Sequence, residues 1–297
     1  MMQALNGSIV ALITPMHENG EVDFESLSNL VEWHIKEGTA GIVSMGTTGE
    51  SATLSVSEHL SVIEKTIKFV NGRIPVIAGS GSNSTAQAIE TTSESKNLGA
   101  DYCLLVTPYY NRPSQKGLID HYFKIADSVQ IPQILYNVPS RTACDLLPKT
   151  IEILAEHQNI IGIKESVSDE NRINDLIKIS NATDKKFVIL SGDDPSFANL
   201  MEYGGHGVIS VAANVIPNAI SEICYLISEG KIDEAIKKNE TYHHLYELLF
   251  IESNPVPVKW MLYKMKMIRN SLRLPLVKLD EKFHENINAE MLRLRLL

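Results

Sequence analysis

Ile160-Ile161-Gly162-Ile163-Lys164-Glu165-Ser166 is a short apolar run that breaks off into charge and a hydroxyl. Alone, so short a run fits a buried strand or a buried helical turn equally well. Its recurrence decides between them. Similar β-branched runs, each ending in small polar residues, occur at Ser8–Ile13, Gly41–Met45, Ile74–Ala78, Asp101–Val106, Pro132–Tyr136, Phe187–Leu190 and Gly207–Val211. Between them apolar residues fall at helical spacing, as in Phe24, Leu27, Leu30, Val31 and Ile35, or Leu60, Ile63, Ile67 and Val70. Continuous apolar strands separated by helices imply a parallel sheet covered on its outer face. Eight such units without a long interruption predict closure into a single (β/α)8 TIM barrel rather than an open doubly wound sheet.

The repeat ends near residue 228. We expect residues 1–228 to form the catalytic barrel and 229–297 a helical segment packed on it, with helices at Ile232–Phe250, Val258–Ile268 and near Ala289–Leu296 and the Pro-containing Leu272–Leu276 between the last two. The 44% hydrophobic and 21% charged composition is that of a globular enzyme with a sizeable core, and the net charge of -9 argues against a nucleic-acid surface. No apolar stretch approaches the ~20 residues that span a bilayer. The first residues lack the basic and apolar regions of a signal peptide, so no membrane partner and a cytoplasmic location are expected. Cys103, Cys144 and Cys224 are too few and scattered for a disulfide framework, and adjacent His243 and His244 point to different sides of a helix. No metal is expected.

In this architecture chemistry gathers at the C-terminal ends of the strands. Lys164 closes its run there, where loss of water favours the neutral amine that attacks a carbonyl. An isolated strand-end lysine otherwise snorkels to solvent. Tyr136 ends the neighbouring strand, where its hydroxyl can move protons, or else simply sits as a rim aromatic. Thr47 and Thr48 lie between Gly46 and Gly49, a turn whose N–H groups and hydroxyls suit a carboxylate as well as a helix cap. Arg141, after Pro139, offers a fork for a second carboxylate, or is a solvated loop arginine. Gly79-Ser80-Gly81-Ser82-Asn83 lacks the phosphate-loop lysine, and the loops after strands seven and eight carry Asp193-Asp194 and Ala212-Ala213-Asn214. A phosphorylated substrate is therefore not expected.

With these residues placed, the chain resembles the dihydrodipicolinate synthases, of the pyruvate-dependent class I aldolase group. The likeness covers essentially the whole chain. It runs through Gly46-Thr47-Thr48-Gly49-Glu50-Ser51-Ala52, Thr107-Pro108-Tyr109-Tyr110-Asn111-Arg112-Pro113, Tyr136-Asn137-Val138-Pro139-Ser140-Arg141-Thr142, Gly162-Ile163-Lys164-Glu165, Ser191-Gly192-Asp193-Asp194 and Asn254-Pro255-Val256-Pro257-Val258-Lys259. The resemblance implies a lyase with no cofactor beyond its own lysine: pyruvate forms a Schiff base with Lys164, and the enamine attacks aspartate semialdehyde, in lysine and diaminopimelate biosynthesis. It implies that Tyr136, Thr47 and Tyr110 form a proton relay, with Tyr110 donated across a dimer interface, hence a dimer at least and a homotetramer (dimer of dimers) by family habit. It further implies that Thr48 binds the pyruvate carboxylate, that Arg141 binds the carboxylate of the aldehyde, and that the Gly192 and Ile209 carbonyls line the site.

A lysine-effector cleft in relatives corresponds here to Ser51, Ala52, Val56, His59, Asn83, Gln87 and Tyr109. Strongly inhibited relatives carry histidine at the place of Val56 and glutamate at that of Gln87, so weak or absent lysine inhibition is expected. The alternatives are a sister aldolase such as N-acetylneuraminate lyase, disfavoured by Ser140-Arg141-Thr142, and a non-catalytic ligand-binding barrel.

Overall fold

In the computed structural model, which describes residues 5–297, strands β1 (Gly7–Ala11), β2 (Gly41–Ser44), β3 (Val76–Gly79), β4 (Tyr102–Val106), β5 (Gln133–Asn137), β6 (Ile160–Glu165), β7 (Val188–Ser191) and β8 (Gly207–Ser210) pair in chain order. Strand β8 returns in parallel to β1, closing the TIM barrel. Each expected strand is present, displaced by a residue or two. The third starts at Val76 rather than Ile74, because Pro75 has no N–H to give a ladder. Helices cover the outside, and their starts follow local chemistry. Asp23 accepts from Ser26 N ahead of the helix Phe24–Lys36, and Ser55 with Glu58 forms a reciprocal cap on the helix Val56–Val70.

Alternation along the strands divides the apolar residues into two layers. Ile9, Ile77, Leu104, Ile134 and Leu190 fill the barrel, whereas Leu105, Leu135, Ile163 and Ile189 face the helices. The closing seam leaves no space: a Cβ on Gly207 would stand 2.3 Å from the Gly7 carbonyl oxygen.

Strand β6 breaks the alternation at one point, and this break aims the site. Its register against β5 slips between Gln133–Ile160 and Ile134–Gly162, so Ile161 is an extra residue. Ile160 and Ile163 both lie in the outer layer, and Ile161 packs on the interior cluster. Strict alternation from Ile160 would turn Lys164 outward. The bulge restores it to the inner side, in register with Tyr136 and Leu190. Gly162 is required beside it, since a Cβ there would lie 2.3 Å from Val188 Cγ2.

The helices after Ser228 share one apolar cluster with the barrel's outer face, Tyr246, Trp260 and Met291 joining Val10, Ile42 and Ile220. The expected helix Ile232–Phe250 is two helices, Ile232–Glu240 and His243–Leu248. Tertiary bonds bend the chain there: Asn239 Nδ2 donates to Pro195 O, and Arg293 Nη2 donates to Thr241 O. Amphipathic spacing does not register such bonds. The next helix runs Val256–Lys264 instead of Val258–Ile268, ending before Lys266 at φ 62, and the last is His284–Arg293 instead of near Ala289–Leu296.

Because the seam opposes backbone to backbone, Gly207→Ala is expected to destabilise the fold by about 1–3 kcal/mol. Urea unfolding monitored by circular dichroism checks this; an unchanged midpoint would show that the seam relaxes freely.

Candidate active site

The strand ends open on a cavity of about 690 Å3. Lys164 rises into it from β6 with its side chain buried, and its Nζ lies 4.3 Å from the centroid of the Tyr136 ring on the adjacent strand. The wall opposite is Gly192. A Cβ there would stand 2.3 Å from Ser166 Oγ and 2.9 Å from Lys164 Cε, so only glycine leaves the lysine stem its place. No ion pair among the described residues involves Lys164, whereas the other buried lysine, Lys259, is paired with Glu50.

The Thr47–Gly49 turn is fixed from both ends. Met45 and Glu50 adopt left-handed backbone at φ 60 and 58, and Thr14 Oγ1 donates to Gly49 O at 2.7 Å. Gly79 admits the turn, because a Cβ would lie 2.3 Å from Met45 O. Thr48 is buried and Thr47 exposed at the rim. Beneath the turn Lys259 Nζ donates to Glu50 Oε1 at 2.5 Å and to Thr14 O at 3.0 Å, both side chains being fully buried. Burial pushes the Lys259 ammonium pKa down, against the pull of Glu50. Asn254 Nδ2 donates to Thr48 Oγ1 at 2.9 Å.

Arg141 sits on the single helical turn Pro139–Thr142 and is exposed. The loop that carries it is pinned from outside the barrel. Thr107 Oγ1 donates to Thr142 Oγ1, Asn137 Oδ1 accepts from Leu146 N at 3.0 Å, and Arg172 Nη1 donates to Leu146 O at 2.7 Å. Glu165 anchors this network. It follows Lys164 and therefore faces outward, accepting from Asn137 Nδ2 and Val167 N with Arg172 Nη1 3.6 Å away. Burial raises its carboxyl to about 7, opposed by the Val167 N–H, the Asn137 amide and Arg172.

The structure thus brings Lys164, Tyr136, Thr47, Thr48, Arg141 and Gly192 to one cavity. Ile209 is buried within the barrel and does not line it. Tyr110 lies outside, 90% exposed at φ 74, beside the exposed Tyr109. Of the effector-cleft positions, Ser51 and His59 line the cavity, His59 bonding Gly79 O at 2.8 Å. Asn83 Nδ2 donates to Tyr109 O, Gln87 Oε1 accepts from Ser82 Oγ, and Ala52 and Val56 are exposed. Asn254 and the Glu50–Lys259 pair had no assigned part in the sequence reading. A lysine inside the otherwise apolar Val256–Leu262 run was the available signal for burial and pairing. Among the described residues no group of three or more His, Cys, Asp or Glu side chains is placed to hold a metal ion, and no helix is long and apolar enough to cross a membrane.

The model of the Dihydrodipicolinate synthetase family matches residues 4–293. The chain is 49% identical over 293 residues to the 4-hydroxy-tetrahydrodipicolinate synthase of Saccharophagus degradans, covering 99% of this chain and 100% of that one. It superposes on the dihydrodipicolinate synthase of Acinetobacter baumannii complexed with pyruvate with a TM-score of 0.95 and 47% identity, covering 99% of this chain and 100% of that one. For the lysine-bound enzyme of Cyanidioschyzon merolae the TM-score is 0.94 and the identity 36%, covering 98% and 99% of the two chains.

The raised Glu165 carboxyl has a signed consequence. The folded chain holds this proton until about pH 7, while the unfolded chain releases it near 4.5. Stability contributed by the group is therefore lost as pH rises through that window. Glu165→Gln removes the loss, so relative to wild type the variant should gain on the order of 2–3 kcal/mol between pH 4.5 and pH 7.5. Urea midpoints of both proteins across this range provide the check, and parallel pH profiles would contradict it.

Proposed function

Because the chain belongs to the dihydrodipicolinate synthetase family, we propose that it condenses pyruvate with L-aspartate 4-semialdehyde through an imine on Lys164, giving 4-hydroxy-tetrahydrodipicolinate for lysine and diaminopimelate synthesis. The observation that carries this reading is the lysine aimed inward at the cavity, without a carboxylate partner among the described residues, against the Tyr136 ring. The Lys164 amine adds to the pyruvate ketone, and the carbinolamine loses water to give the imine. Loss of a methyl proton converts the imine to an enamine, whose carbon attacks the aldehyde. The substrate's own amino group then displaces Lys164 as the ring closes, so the enzyme's amine is regenerated and no further cofactor is consumed.

Tyr136 and Thr47 serve as proton carriers in this scheme, and Tyr110 completes the relay from a neighbouring copy. The exposure of Tyr110, on a loop held by the Asn111 Nδ2 bond to Asn83 O at 2.8 Å, supports donation to another chain over service in its own cavity. Self-association as a dimer of dimers follows from that reading, as does a cytoplasmic location from the biosynthetic role. Thr48 and its turn take the pyruvate carboxylate, with the Gly192 carbonyl as further lining. Arg141 takes the carboxylate of the aldehyde through paired N–H groups. We read residues 1–228 and 229–297 as one folding unit with two architectures, since they share an apolar cluster.

The effector cleft is proposed to be silent toward lysine. Gln87 offers an amide where a carboxylate would pair with an ammonium, and Val56 offers no hydrogen bond. The missing charged hydrogen bond corresponds to about 1.5–3 kcal/mol, roughly 10- to 150-fold in affinity.

Two measurements test these assignments. Borohydride reduction with pyruvate should add a reduced pyruvyl group to the peptide containing Lys164, and Lys164→Ala should lose both the adduct and more than about a thousandfold in turnover. An adduct on a different lysine would refute the scheme. In steady-state assays lysine should inhibit only weakly or not at all, and tight submillimolar inhibition would overturn the reading of the cleft.

A further inference from the structure

The C-terminal segment reaches Thr48 itself through one amide. Asn254 is 6% exposed, lines the cavity and donates to Thr48 Oγ1 at 2.9 Å. Its Oδ1 is buried without a partner among the described residues. Exchanging the two ends of the amide would leave its NH2 unpaired instead, so one buried polar end is unsatisfied in either orientation. Neighbouring hydroxyls behave differently from that of Thr48. Thr14 Oγ1 donates to Gly49 O and Thr53 Oγ1 to Glu50 O, so each of these neighbouring threonines spends its proton on a backbone carbonyl. Thr48 is instead engaged as an acceptor.

We propose that Asn254 is a positioning residue for substrate binding: by donating to Thr48 Oγ1 it occupies the acceptor side of that hydroxyl and directs its proton to the carboxylate of the keto acid. A hydroxyl has one proton to give, and the partner on its lone pair decides where that proton is free to point. The amide is held rigidly enough for this. The helix Val256–Lys264 begins two residues later, and its Lys259 is locked to Glu50 and Thr14 O at the base of the same turn. A second tether comes from Arg273, whose N–H donates to Glu50 Oε2 and whose Nη1 donates to Thr53 O.

The role of Asn254 rests on the imine-forming reading of Lys164, and the test separates the two. Asn254→Asp keeps the shape but makes both ends of the side chain acceptors. The Thr48 hydroxyl then donates to the introduced carboxylate instead of to the substrate, and a negative charge faces the keto acid. The expected result is a pyruvate KM raised about tenfold or more, with kcat within about threefold and the semialdehyde KM within about twofold of wild type. Asn254→Ala should raise the pyruvate KM less, and in a Thr48→Val background it should add almost nothing. A pyruvate KM for Asn254→Asp within about twofold of wild type, or fully additive effects of Asn254→Ala and Thr48→Val, would overturn the assignment. Borohydride trapping of pyruvate on the wild-type enzyme is run alongside. Absence of trapping there sinks the reading of the site, whereas trapping with an unmoved KM sinks only the role of Asn254.

Discussion

One extra residue in β6 decides which way the amine faces. A parallel strand turns successive side chains to opposite sides, so the direction of Lys164 is fixed by counting from the residues packed below it. Ile160 and Ile163 both lie in the outer layer, which is possible only because Ile161 is inserted between them. The insertion carries Lys164 to the inner side, and two glycines make room: Gly162 against Val188, and Gly192 against the lysine stem. Much of what is special at the cavity follows from this aim. The same parity sends Glu165 outward, where it ties Asn137 and Arg172 to the loop bearing Arg141.

The charges around the cavity are divided by position. Lys164 and Arg141 line it together with Asp193 and Glu252, in a chain whose net charge is -9. The fully buried pair Lys259–Glu50 lies beneath the Thr47–Gly49 turn. Such a pair does little for net stability, since removing both charges from water costs about as much as their attraction returns. Its value here is geometric, because it holds Glu50 in its left-handed conformation and closes the Thr47–Gly49 turn.

The barrel was legible because every strand is a continuous apolar run, and the rim residues were legible because each run stops in polar side chains. Lys164, Tyr136, Thr48 and Arg141 could be placed by that rule alone. Other features depend on contacts between distant segments, which leave no local pattern. The break at Thr241 comes from bonds to Pro195 and Arg293, and Asn254 reaches Thr48 across 206 positions. The bulge at Ile161 is also silent in sequence, because isoleucine suits either face of the strand. Resemblance filled part of this gap, for Tyr110 and the effector cleft in particular, where spacing has nothing to say.

Glu50 and its cation stand 209 positions apart. During synthesis the carboxylate therefore emerges long before the amine that neutralises it, and a chain interrupted before Lys259 has all eight strands but lacks the cation that pairs with Glu50 on folding. Leaving such a charge uncompensated is costly. The last part of the chain to be made is thus also the part that sets the Thr47–Gly49 turn.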